Sequence, residues 1–235
     1  ICAGTSVTFT ATPTNGGTPS YQWYLNNNPV GTNSNQYTNN SLANTDQVYV
    51  VMTSTVTCAT GSPATSNTIT MTVNPSAAIT GVSGETPLCI GSTETYVANG
   101  VVLGGGTGAW SSDATNIAMV DNNGLVTAVA TGEANIIYTI TEGCGGTVSA
   151  QQSVFVFPNA SIASVTGLPF LCIGSTATYT ANGVVLGGGF GSWMSSDNNI
   201  ATVDNDGVVT AIGIGPVDII YQIFGGCGGL VSAPQ

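Results

Sequence analysis

Apolar and polar residues alternate along most of this 235-residue chain. Turn-forming residues interrupt the alternation about every 8 to 12 positions, the pattern of a series of β-sandwiches. In the first third, Ser6–Ala11 is predicted as a strand with Val7, Phe9 and Ala11 on one face. Tyr21–Leu25 is a second strand, Asn26-Asn27-Asn28-Pro29 a turn, Asp46–Thr57 a long strand and Asn67–Val73 a closing one. The middle third predicts strands at Thr93–Ala98, Gly108–Ser112, Ile117–Val120, Leu125–Ala130, Asn135–Thr141 and Thr147–Phe157, and the last third repeats them 83 positions on. β-branched residues dominate and no apolar stripe persists at helical spacing, so the fold class is all-β.

The alternation is written in three copies. Each opens with Cys-x-Gly-(Ser/Thr)-x-x-Thr-(Phe/Tyr)-x-Ala, at Cys2, Cys89 and Cys172. A Trp follows 21 residues later (Trp23, Trp110, Trp193), and a closing Cys follows 56, 55 and 55 residues after the first (Cys58, Cys144, Cys227). The second and third copies align without a gap, with 47 of 76 positions identical. Tandem self-similarity of this kind is one structural unit reused, and such chains provide length, spacing or surface. Three modules result: 1–75, lacking an opening strand; 76–158; and 159–235, with its closing strand cut short. The unmatched ends suggest an excerpt of a longer repetitive chain, or a joint at which a neighbouring copy donates a strand.

One Cys pair per module favours disulfides and an oxidising compartment. Six cysteines allow 15 pairings, and repeat symmetry selects Cys2–Cys58, Cys89–Cys144 and Cys172–Cys227, one within each module. Zinc needs Cys-x-x-Cys or nearby His, and neither occurs. The Trp that recurs beside each Cys pair reads as core packing against the disulfide.

Charge then removes whole classes of function. The chain has no Lys, Arg or His against 11 carboxylates, a net charge of −11. Without cations it has no means of neutralising nucleic-acid phosphates or binding anionic headgroups. It lacks an imidazole base, a Schiff-base amine and an Arg clamp, and its acids fall in turns rather than in a catalytic pair, so an enzyme is not expected. No run of 18 apolar residues is present, so no membrane-spanning helix is predicted. No cofactor is implied.

Two loop types invite a ligand reading. Asp121-Asn122-Asn123-Gly124 and Asp204-Asn205-Asp206-Gly207 resemble calcium loops, Asp204 and Asp206 being the better placed. They lack the spacing and the final Glu of an EF-hand, and hairpin turns with Gly at positive φ explain them better. Gly104-Gly105-Gly106 and Gly187-Gly188-Gly189 neither open a helix nor meet a Lys, so they are not phosphate loops. Core or flexible loops fit them, as does contact between modules, with Val101-Val102-Leu103 and Val184-Val185-Leu186 alongside.

Trp193-Met194-Ser195-Ser196-Asp197, Ile200-Ala201-Thr202-Val203-Asp204 and Gly207-Val208-Val209-Thr210-Ala211, with their second-module siblings around Trp110 and Ile117-Ala118-Met119-Val120-Asp121, resemble the bacterial Ig-like group 2 (BIG2) repeat. The stretch ICAGTSVTFTATPTNGGTPSYQWYLNNNPVG resembles Ig-like or PKD-like repeats of giant Bacteroidota surface proteins. These resemblances imply Ig-like β-sandwiches in an extracellular stalk, adhesin or filament. The partners then expected are further copies or a longer chain, with a glycan- or protein-binding adhesin segment as the alternative.

Overall fold

A computed structural model describes residues 1–235. Every regular element is a strand. The chain divides into two compact units: Ile1–Thr80 with Gly100–Gly108 and Thr139–Ser149, and Gly81–Asn99 with Ala109–Tyr138 and Ala150–Gln235.

In the first unit one sheet runs in the order Asn28–Val30, Ser20–Leu25, Gln47–Thr53, Ala64–Thr65, with Ile69–Thr70 also paired to Gln47–Thr53. Val7–Thr10 and Gln36–Asn39 form a separate antiparallel pair. Period-two alternation sends Val48 and Val50 inward, where they meet Phe9, Trp23, Leu42 and Met71. The expected four-residue turn contracts to Asn26-Asn27, both left-handed (φ 51° and 66°), the type I′ geometry that Asn tolerates. Pro29 then sits on the outermost strand of the sheet, where a missing N–H breaks no ladder. The predicted strand Asp46–Thr57 ends at Thr53, because Ser54 turns away: its hydroxyl donates to the Gly16 carbonyl and accepts from the Val56 N–H. The predicted closing strand Asn67–Val73 shrinks to Ile69–Thr70.

The rest of the chain follows a recurrent plan. Thr93–Thr95, Leu125–Ala128 and Ala118–Val120 form one sheet, repeated as Thr176–Thr178, Val208–Ala211 and Ala201–Val203. Gly81–Ser83 pairs with Val97–Asn99, and Ser164–Thr166 with Thr180–Asn182. A four-stranded sheet runs Thr107–Ser112, Gly132–Thr141, Val148–Phe157, Leu88–Cys89, the last pair parallel. Its third-module counterpart has three strands, Phe190–Ser195, Ile219–Phe224 and Val231–Pro234. Ile219–Phe224 starts later than its homologue because Pro216 stands where the second module has Glu133.

The predicted strand Thr93–Ala98 is in fact two. Tyr96 breaks it: its N–H donates to the Gly124 carbonyl, its ring is buried, and its hydroxyl donates to the Glu85 carbonyl at 2.7 Å. Tyr179 does the same with Gly207 and Leu168. Each ring lies directly against a glycine, Gly84 or Gly167, where a Cβ would overlap it.

Candidate functional site: the stapled module junctions

The cysteines are where the structure departs furthest from expectation. Two disulfides form, Cys2–Cys144 and Cys89–Cys227, each with Cα atoms 5.4 Å apart, while Cys58 and Cys172 are free and exposed. None of the intramodule pairs Cys2–Cys58, Cys89–Cys144 and Cys172–Cys227 is present. Strand length explains why. Cys2 bridges Asn74, and the Asn74 segment lies beside Asn44 and Asp46, at the start of Gln47–Thr53. Cys58 lies past the other end of that seven-residue strand. At about 3.3 Å per residue the strand spans roughly 20 Å, against the ~7 Å limit on Cα separation in a disulfide. In the third module Leu171, next to Cys172, lines a cavity with Asp218, Ile219 and Gln235, at the start of Ile219–Phe224. Cys227 follows the far end of that strand, again roughly 17 Å away by strand length. Repeat symmetry is equally obeyed by joining each opening Cys to the closing Cys one module further on, and that is the observed scheme.

Around each bond the same small set of groups recurs. In the first unit, the Ala77 N–H donates to the Cys144 carbonyl at 2.6 Å and the Cys144 N–H donates to the Gly104 carbonyl at 3.0 Å. In the second, the Ala160 N–H donates to Cys227 at 2.6 Å and the Cys227 N–H donates to Gly187 at 2.9 Å. Ala78 bridges Val102 as Ser161 bridges Val185. The glycine triplets are therefore close-approach sites for the backbone at residues 75–77 and 158–160. A Cβ on Gly104 would lie 2.7 Å from the Ala77 nitrogen, and one on Gly187 2.7 Å from the Pro158 carbonyl. A Cβ on Gly106 or Gly189 would overlap the backbone of the closing turn. Each bonded closing cysteine is buried, Cys144 and Cys227 both at 7% exposure. Ala77 and Ala160 were not singled out in the sequence, although their fixed distance from the Gly-Cys-Gly-Gly turn is repeated in both modules.

The other candidates fall into structural roles. Trp23 lies in the first core, 5.9 Å from Tyr37 and 6.3 Å from Phe9, with its indole N–H on the Ser34 carbonyl. Trp110 and Trp193 are half-buried, edge-on to Tyr138 and Tyr221. They underlie Gly124 and Gly207, where an added Cβ would lie 3.1 Å from the indole. The core clusters that hold Trp23 and Trp193 contain no cysteine. Asp121 and Asp204 each close a hairpin turn with one carboxylate oxygen, Asp121 receiving the N–H groups of Asn123 and Leu125, Asp204 those of Asp206 and Val208. The hydrogen bonds from Leu125 and Asn123 hold the Asp121 carboxyl below its ordinary value. Gly124 and Gly207 complete the turns at φ 83° and 82°, as expected of hairpins with a left-handed glycine.

No curated protein matches the chain by sequence. Among solved structures it is similar to domains 1–6 of the surface layer protein SbsC (16% identity, 91% of this chain, TM-score 0.33), and it spans about a third (34%) of that chain. It is also similar to the N-terminal eight Ig domains of Down syndrome cell adhesion molecule (13% identity, all of this chain and 34% of that one, TM-score 0.46). A third likeness is to a C-terminal 282-residue fragment of intimin in complex with the intimin-binding domain of its translocated receptor (16% identity, 68% of this chain and 64% of that one, TM-score 0.42). Residues 90–151, from just after Cys89 to the strand that follows Cys144, match the bacterial Ig-like domain (group 2) family.

Proposed function

We propose that this chain is a load-bearing segment of an extracellular stalk, adhesin or filament. The observation that carries the reading is the wiring of the disulfides: both lie between one repeat and the next, so they reinforce junctions rather than individual cores. Oxidised cysteines and the absence of any cation fit life outside the cell. The match to a bacterial Ig-like family, and likenesses to a surface layer protein and to cell-adhesion proteins, lean the same way. Electron microscopy of native material, with its mass on a reducing gel, tests the proposal. Filaments or long fibres support it, whereas isolated monomers under oxidising conditions overturn it.

One observation favours a second reading, recognition of a ligand by the first module. A cavity of about 360 Å³ there is lined by Phe9, Tyr21, Trp23, Tyr49 and Met52. Tyr21 stands two residues before Trp23, where the other modules have Gly108 and Gly191, so this lining is not part of the shared plan. Aromatic faces of this kind suit a sugar or an apolar side chain. Saturable binding on a glycan array that Tyr21→Gly abolishes would establish it.

A further inference from the structure

In the third module Phe190–Ser195 is the outer strand of its sheet, paired on one side with Ile219–Phe224 and open on the other. The Ser196 N–H donates to the Asp218 carbonyl, so by alternation Gly191, Trp193 and Ser195 turn their backbone N–H and C=O groups to the open side. The first module shows what such an edge takes. There the equivalent strand, Ser20–Leu25, receives Asn28–Val30 along that side in antiparallel register, Trp23 opposite Val30 and Leu25 opposite Asn28. No strand of the third module does the same. We propose that the Phe190–Ser195 edge pairs antiparallel with the same strand of a second copy, joining two chains side by side. The contact is lateral and goes beyond the stalk reading, holding whether or not copies also extend end to end.

The strand carries none of the devices that keep sheet edges apart: it is six residues long, uncharged and free of proline. It is also where the third module departs from its near-copy. Phe190 and Met194 stand where the second module has Thr107 and Ser111, and Phe224 stands where it has Thr141. These three lie on the outer face of the sheet, alternating with Trp193 and Tyr221, which pack on the core. Phe190 is 64% exposed and its ring stacks 5.5 Å from that of Phe224, in the place of a Thr107–Thr141 hydroxyl contact. A two-fold axis at Ser192 sets Phe190 opposite Met194 of the second copy, an aromatic–sulfur pair made twice. Gly191 and Trp193 then exchange backbone hydrogen bonds across the joint in both directions.

Charge selects the direction of pairing. With a net charge of −11 and no cation, two copies meet favourably only where carboxylates are kept apart. Asp197 and Asp218 stand at the Ser195 end of the strand. Antiparallel pairing holds these acids of the two copies at opposite ends of the joint, whereas parallel pairing brings them together. Beside Phe224, at the other end, Gly225 replaces the second module's Glu142. Because both copies present the same surface, the contact is isologous and stops at two chains. Salt screens the repulsion that remains, so pairing strengthens as ionic strength rises.

The test uses the whole chain with its exposed free cysteines, Cys58 and Cys172, alkylated, and reads light scattering after size exclusion together with amide hydrogen exchange. The expected result is an equilibrium between the 23.5 kDa chain and a species of twice that mass, driven towards the dimer by concentration and by salt, with nothing larger. Exchange at the Gly191 and Trp193 amides should slow as the dimer forms. Ser192→Asp sets like charges opposite each other at the axis, and so does Ser192→Lys, so each variant alone should stay monomeric. An equal mixture of the two should regain the dimer. Phe190→Thr with Met194→Ser installs residues that the second module carries in the same strand, and should weaken the dimer about tenfold with the thermal midpoint unchanged. Monomers at every concentration and salt overturn the edge pairing. So do a dimer that Ser192→Asp leaves intact, a mixture that stays monomeric, and a dimer in which the Gly191 and Trp193 amides exchange as fast as in the monomer.

Discussion

At Gly124 the chain turns left-handed, and an added Cβ would also lie 2.5 Å from the Tyr96 carbonyl. Gly124→Ala combines backbone strain with displacement of that carbonyl, and should lower stability by about 2 kcal/mol or more in urea denaturation. Burial, with a smaller contribution from the Glu94 charge, pushes the Tyr96 hydroxyl up to about 12. A raised folded-state value means that this contribution is fully present below about pH 10, the unfolded tyrosine value, and is lost as pH rises towards 12. Tyrosine absorbance should therefore show a component delayed to about pH 12, absent in Tyr96→Phe. Asp46 behaves in the opposite sense. Hydrogen bonds from the Asn26 side chain and the Ala43 backbone hold its carboxyl below the ordinary range. Its contribution is present above about pH 4 and disappears as pH falls through the depressed value. Denaturation midpoints between pH 2 and 7 should fall less steeply for Asp46→Asn than for the native chain.

Strands were the most legible level, because period-two alternation is written into each of them. Gly108–Ser112 and Thr147–Phe157 differ from the observed Thr107–Ser112 and Val148–Phe157 by one residue at one end. The errors occur where a side chain leaves the ladder to bond elsewhere: Tyr96 splits one strand between two sheets, and Ser54 ends another early. Periodicity does not encode those events. The short edge pieces Gly81–Ser83 and Leu88–Cys89 carry too few residues for any alternation to register. The cysteine pairing was misread for a different reason, since two schemes satisfy the repeat equally and only strand length separates them. Within the long closing strand of the second module, Val154 is fully buried. Val154→Ala should cost about 2 kcal/mol, measured as a shift of the unfolding midpoint.

For the whole molecule, the absence of Lys and Arg means that trypsin has no bond to cut even in the reduced, unfolded chain. Incubation with trypsin should leave a single intact band whether or not reductant is present. The disulfides close loops with sequence separations of 142 and 138, and a loop of that length lowers the unfolded chain's entropy by about 5 kcal/mol in stability terms. Reduction should therefore lower the thermal midpoint sharply. The two loops overlap between Cys89 and Cys144, so their contributions are not independent.

That overlap fixes how far the chain stretches under tension. The shortest covalent route from Ile1 to Gln235 jumps from Cys2 to Cys144, runs backwards along 55 residues to Cys89 (144 − 89), and jumps again to Cys227. About a quarter of the chain bears the load, in reversed direction through the middle repeat. At roughly 3.4 Å per residue, the pulled contour is about 220 Å oxidised against about 800 Å reduced. The crossed bonds act as a stop on a tether: force unravels the protein to a fixed short leash and no further, and everything outside the route hangs slack, free to refold.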